Sequence, residues 1–272
     1  MRKFLFLGLI AFSALILLIF LKEGKQDQQS LTPVVDVGNK TIRDITETAT
    51  APIDVPSDKE IEIGRKILTY FPTLPNENPQ AQYVNTIGKR LAAFAIRKDI
   101  QYTFQVMDST TVNAFAVPGG FLLVTTGMLG MADEDALAWV IGHEISHVEN
   151  RHALVWLRLE LAKQQLGRNG LPPLDDLARL IEGLLRRGYS ETMEMEADRG
   201  GIRLVMQADF NPKAALKLIA EMEGKSAAAD RRTSRNPFYI GVKLSGDTLK
   251  SYFGTHPAWE RRRQIILEEI RK

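Results

Sequence analysis

The chain has no cysteine among its 272 residues, which excludes disulfides, thiolate metal sites and a cysteine nucleophile. Any metal must therefore be gripped by histidine and carboxylate, and histidine itself is scarce, with four copies. An excess of one charge sign is also lacking. Lys and Arg number 35 against 33 Asp and Glu, and the resulting +2 is too small to imply the basic face that nucleic acid requires. The absence of cysteine fits an oxidising compartment. No internal repeat or low-complexity tract is visible. What is present is a chain that is 44% hydrophobic, long enough for one catalytic domain with attachments.

One long apolar run exists, residues 4–21, preceded by Met1-Arg2-Lys3 and followed by Lys22-Glu23-Gly24-Lys25. Its length suffices to span a bilayer, and the leading positive charge keeps the amino end in the cytoplasm. Residues 1–21 therefore read as an uncleaved membrane anchor, with the remainder on the far side of the membrane from the cytoplasm. The rival reading is a signal peptide removed on secretion, against which Ile19-Phe20-Leu21 offers no small-x-small cleavage site. Residues 22–56 are polar and aperiodic, a tether. The folded domain is expected to occupy 57–272.

Within it, Ser57-x-x-Glu60 reads as a capping box opening a helix whose buried face is Ile61, Gly64, Leu68 and Phe71. Asn78-Pro79 caps a second helix carrying Val84, Ile87, Leu91 and Phe94. Between residues 101 and 126 the period changes to two, with Tyr102, Phe104 and Val106 alternating. Segments 113–117 and 121–126 then flank Pro118-Gly119-Gly120, and the region predicts a small antiparallel sheet. Asp133 caps a long helix expected to run to Gln165. Further helices are expected at 177–187, 192–207, 212–223 and from Trp259 onward. The fold class is α+β, mainly helical.

His143-Glu144-Ile145-Ser146-His147 carries the chemistry. Two imidazoles four residues apart project from one helix face and can grip one ion, while Glu144 is placed beside that edge to reach a water on the metal. The bland alternative is two polar residues on a wet helix face. Trp139, Val140, Ile141, Ile145 and Val148 make this turn apolar on most sides, so the imidazoles are expected to be buried and to need partners. A tetrahedral zinc, one per chain, still requires a third protein ligand. In the helix at 192–207, Glu194, Asp198, Gly201 and Val205 form one stripe beside Met193, Ala197, Gly200 and Leu204, so Glu194 is the chosen ligand and Asp198 accepts from the outer nitrogen of a ligand histidine. Gly201 allows close helix approach. The alternative makes Glu194 and Asp198 surface acids. Glu196 shares a face with Arg199 and Arg203, which reads as a solvated ion-pair ladder. His152 reads as structural.

These residues resemble the M48 metallopeptidases, a gluzincin family. The motifs fall in order: Asn113-Ala114-Phe115-Ala116-Val117-Pro118-Gly119-Gly120, His143 to Val148, Arg151-His152, Glu194-x-x-x-Asp198, and His256-Pro257 with Arg262. The resemblance implies a zincin-like domain, Glu194 as third ligand, and residues 113–117 as an edge strand that pairs with a polypeptide substrate. It also implies that His256 approaches the zinc as a cap or an oxyanion partner. Arg262 is a charged partner candidate. The single amino-terminal segment is similar to the periplasmic BepA and LoiP branch rather than to the multi-spanning HtpX branch. The expected function is a zinc endopeptidase with Glu144 as general base, acting on misfolded envelope proteins. The alternative is a chaperone-like assembly factor with latent proteolysis.

Overall fold

The computed structural model describes residues 55–155, 157, 173–185, 188–223, 234–239 and 259–272; the expected anchor, the tether to residue 54, and His256 lie outside these. Among the described residues no helix is long and apolar enough to cross a membrane. In chain order come α1 (Ser57–Leu68), α2 (Pro79–Ala92), β1 (Thr103–Met107), β2 (Ala114–Val117), β3 (Phe121–Thr125), α3 (Thr126–Met131), α4 (Glu134–Glu149), α5 (Leu174–Leu185), α6 (Glu191–Gln207), α7 (Lys213–Met222) and α8 (Trp259–Ile270). This is the expected mainly helical α+β architecture.

Several helix starts follow from local chemistry. The side chain of Asn78 accepts from Gln80 N–H with Pro79 at the first helical position, Asp133 accepts from Ala136 N–H, and Ser190 accepts from Met193 N–H. The capping box at α1 does not form. Ser57 Oγ donates to Asp99, and Glu60 is buried instead, accepting from Gly119 N–H at 3.1 Å and from Arg97 and Arg151. The buried face of α1 is accordingly Glu60, Ile63, Gly64 and Ile67 rather than the expected stripe. Gly119, at φ 82°, brings the β2–β3 turn hard against α1, where a Cβ would sit 2.6 Å from Cα of Ile61.

The sheet order is β1-β3-β2. The β2–β3 pair is antiparallel, with Ala116 opposite Leu122, as expected. β1, however, runs parallel to β3, with Phe104 opposite Leu122, so the sheet is mixed. Alternation reveals which residues are strands and which face is buried; it does not encode the direction of the partner. β2 is left at one edge, packed beside α4.

α4 also departs from expectation. It ends at Glu149, not Gln165, because Asn150 caps it, donating from Nδ2 to the Ser146 carbonyl at 2.8 Å, and Arg151 adopts φ 53° before the chain turns helical again at 152. α4 is buried from Ala136 to Val148 and crosses α6 where glycines face each other. A Cβ on Gly201 would lie 2.8 Å from the backbone nitrogen of His143, and one on Gly200 2.1 Å from Ser146 Oγ. The two backbones meet at a distance that only glycine permits.

Candidate metal centre

This crossing brings the predicted residues together. His143 and His147 leave the same face of α4 one turn apart, and their Nε2 atoms are 3.0 Å from each other. Glu194, in the first turn of α6, places Oε2 3.5 Å from His143 Nε2 and Oε1 3.5 Å from His147 Nε2. All three side chains are buried, and one ligand atom from each lies within 4.8 Å of the others.

The donor set fits a tetrahedral divalent cation. Metal–ligand bonds of about 2.0–2.1 Å place neighbouring ligands about 3.3 Å apart, close to the 3.0 and 3.5 Å separations here. Charge points the same way. Glu144, Glu194 and Asp198 are three buried carboxylates, and Arg262 is the buried guanidinium among them. Among the described residues of the site the carboxylates thus outnumber that guanidinium, a donor set suited to a divalent cation.

Asp198 sits where expected, with Oδ1 2.9 Å from His143 Nδ1. Arg262, from α8, contacts Asp198 through Nε and Nη2 at 2.7 and 2.8 Å and Glu194 Oε2 through Nη1 at 3.1 Å. Burial alone would raise the Asp198 pKa, but the Arg262 charge and its hydrogen bonds, with that from His143, hold it below the usual carboxylate range. For His143, burial disfavours the charged ring, yet hydrogen bonds to Asp198 and Glu194 outweigh it and raise the pKa to about 9. In the metal-free protein the two carboxylates thus favour the charged form of the His143 ring.

Glu144 Oε2 accepts from Ala116 N–H of β2 at 2.9 Å. This contact ties the edge strand to α4 one residue along from His143. The predicted segment thus reaches the site through Ala116, while Asn113 Oδ1 accepts from Ala114 N–H at 3.0 Å and Phe115 packs edge-on against Phe71 at 5.0 Å.

Two contacts of the site were not foreseen in the sequence. Glu196, read as part of a solvated ladder with Arg199 and Arg203, places its Oε2 3.1 Å from Nε2 of the buried His152. Tyr189 stacks on His147 with centroids 4.1 Å apart and planes at 20°. Burial, with Glu144 and Glu194 nearby, keeps its phenol protonated well above the ordinary value. A signal existed. Tyr189 directly precedes the cap Ser190, a position at which an apolar or aromatic residue commonly packs back onto the first turns of the helix.

Paired histidines on one helix, crossed by a glutamate-bearing helix under a small sheet, define a metallopeptidase-type domain. Residues 78–270 match peptidase family M48, and the chain belongs to that family. It is 34% identical over 172 residues to the mitochondrial metalloendopeptidase OMA1 of Schizosaccharomyces pombe, covering 60% of this chain and 51% of that protein. It is 29% identical over 228 residues to the beta-barrel assembly-enhancing protease of Yersinia pestis, covering 74% and 44%. To the protein of the same name from Escherichia coli K12 it is 31% identical over 177 residues, covering 58% and 36%. The matched regions span about half or less of these relatives.

Proposed function

We propose that this chain is a zinc-dependent endopeptidase in which His143, His147 and Glu194 hold the metal and Glu144 is the general base. The observation that carries the reading is the convergence of those three ligand atoms within 4.8 Å on two helices joined through glycine. When bound, zinc would polarise the scissile carbonyl and lower the pKa of an attacking water. Glu144 would take the water proton and pass it to the leaving amine, its carboxylate held in place by Ala116 N–H. Asp198 and Arg262 would keep His143 and Glu194 oriented. The outer edge of β2, whose Ala114 and Ala116 N–H groups are engaged by Asn113 and Glu144, would pair with an extended polypeptide through its outward carbonyls, giving broad sequence tolerance.

The further reading is quality control of misfolded envelope proteins by a periplasmic domain at 57–272, tethered by 22–56 to an anchor at 1–21 or released from it, with His256 capping the metal or facing the oxyanion. The relatives named for enhancing beta-barrel assembly support it. They also favour the second reading, a chaperone-like assembly factor with latent proteolysis. The test is zinc content and casein cleavage, with and without chelator, for the wild type and Glu144→Gln. The expected result is stoichiometric zinc in both proteins and chelator-sensitive cleavage in the wild type alone. Near-normal cleavage by zinc-loaded Glu144→Gln would sink the base assignment; wild-type zinc without cleavage would favour the assembly factor.

A further inference from the structure

The second ligand histidine has an unusual partner. His143 presents Nδ1 directly to the Asp198 carboxylate, the common arrangement for a metal-binding imidazole. His147 instead presents Nδ1 to another imidazole, Nδ1 of His152, at 2.8 Å. His152 turns its far nitrogen, Nε2, to Glu196 Oε2 at 3.1 Å. The carboxylate is therefore one ring removed from the ligand.

We infer that His152 and Glu196 form a positioning relay that fixes the tautomer of His147 and so keeps its Nε2 lone pair directed at the metal. This rests on the metal-site reading above. The proton placement follows from donor and acceptor counting. An ionised Glu196 only accepts, so His152 must carry its proton on Nε2. In a neutral His152 ring Nδ1 is then an acceptor, and His147 places its own proton on Nδ1 to donate to it. The Nε2 of His147, 3.0 Å from that of His143, is left unprotonated on the side where the three ligands converge. A proton on the wrong nitrogen at any step breaks the chain.

The backbone is arranged for this contact. On an unbroken helix, side chains five residues apart point about 140° away from each other, so His147 and His152 could not meet. The left-handed conformation of Arg151 folds the chain back and closes the gap. A non-glycine residue there is strained. It is held by Glu60, whose Oε2 is 3.1 Å from Arg151 Nη2, and by the Val55 carbonyl, which accepts from that same nitrogen at 2.7 Å. His152 is buried, and Glu196 keeps its side chain only 25% exposed. The strain thus purchases the meeting of two rings.

The experiment measures zinc affinity by chelator competition on the full chain, with nitrogen NMR of histidine-labelled protein, where only four histidines give signals. In the zinc-loaded wild type, His147 is expected to carry its proton on Nδ1 and His152 on Nε2. His152→Leu should lower zinc affinity about 10- to 100-fold, and His152→Asn, whose carbonyl can still accept, should recover most of the loss. Glu196→Leu should weaken binding less than His152→Leu, and Glu196→Gln should stay near the wild type. If His152→Leu does not fold, the two Glu196 variants and the wild-type spectrum decide alone. A proton on His152 Nδ1, or unchanged affinity in folded His152→Leu and in Glu196→Leu, overturns the relay while leaving the metal site intact. Failure of the wild type to bind zinc stoichiometrically would instead overturn the metal-site reading itself.

Discussion

Arg262 grips both oxygens of Asp198, Nε to Oδ2 at 2.7 Å and Nη2 to Oδ1 at 2.8 Å, in a fully buried pair. The same guanidinium reaches Glu194 and lies 4.2 Å over the ring of Trp259. Helix α8 is therefore part of the candidate metal centre, and the planar fork of Arg262 is matched to a carboxylate in a way that an ammonium is not.

Replacing Arg262 with Met should strand two buried carboxylates and destabilise the metal-free protein by about 3–5 kcal/mol. Arg262→Lys should lie between Met and the wild type, since it restores charge without the bidentate geometry. Urea unfolding of the three proteins reads this directly. A Met variant as stable as the wild type would mean that α8 is not needed for the site.

The raised pKa of His143 gives a pH dependence with a definite sign. Its folded value, about 9, lies above the ordinary value of 6.5, so the charged ring stabilises the metal-free protein fully below about 6.5 and this contribution fades as pH rises towards 9. A metal needs the neutral ring, so zinc should bind more tightly across the same window, with proton release near pH 7. Calorimetry in buffers of different ionisation enthalpy would detect that proton. Binding at pH 7 without release would show that His143 is already neutral.

How much of this was readable without coordinates depends on range. His143, Glu144, His147, Glu194 and Asp198 were legible because each set lies on one helix, where spacing alone fixes the shared face. The glycine at 201 was legible because two neighbouring carboxylates make close approach useful. The link from His147 to His152 was not, since it requires a left-handed Arg151 and no rule of propensity places an arginine there. Glu60 was misread because Ser-x-x-Glu has a local use in helix capping, while its actual partners, Gly119, Arg97 and Arg151, are remote in sequence. The parallel course of β1 was hidden for the same reason: a strand's partner is a property of the whole fold.

Glycine substitutions should change sign with location. Gly201→Ala would push a methyl to within 2.8 Å of the His143 backbone, separating α4 from α6, and should cost about 1–3 kcal/mol. It should weaken zinc binding too, because the separating helices carry different ligands. Gly183 in α5 has nothing within 4 Å of its would-be Cβ, so Gly183→Ala should stabilise by about 0.5–1 kcal/mol. Thermal melts of both variants test the contrast, and equal shifts of the same sign would refute the packing argument.

The edge strand yields the last test. Ala116 directs its N–H at Glu144 rather than at β3, so a proline there should leave the strand pairing in place, as edge strands permit. What Ala116→Pro removes is a hydrogen bond to a charged group, about 1.5–3 kcal/mol. If the Glu144 carboxylate acts in the reaction, kcat should fall roughly 10- to 100-fold while zinc affinity changes little, and the melting temperature should fall by several degrees, as the loss of that buried hydrogen bond requires. Zinc loss in Ala116→Pro would instead mean that β2 supports the ligands themselves. An unchanged kcat would mean that Glu144 needs no help from the strand to hold its place.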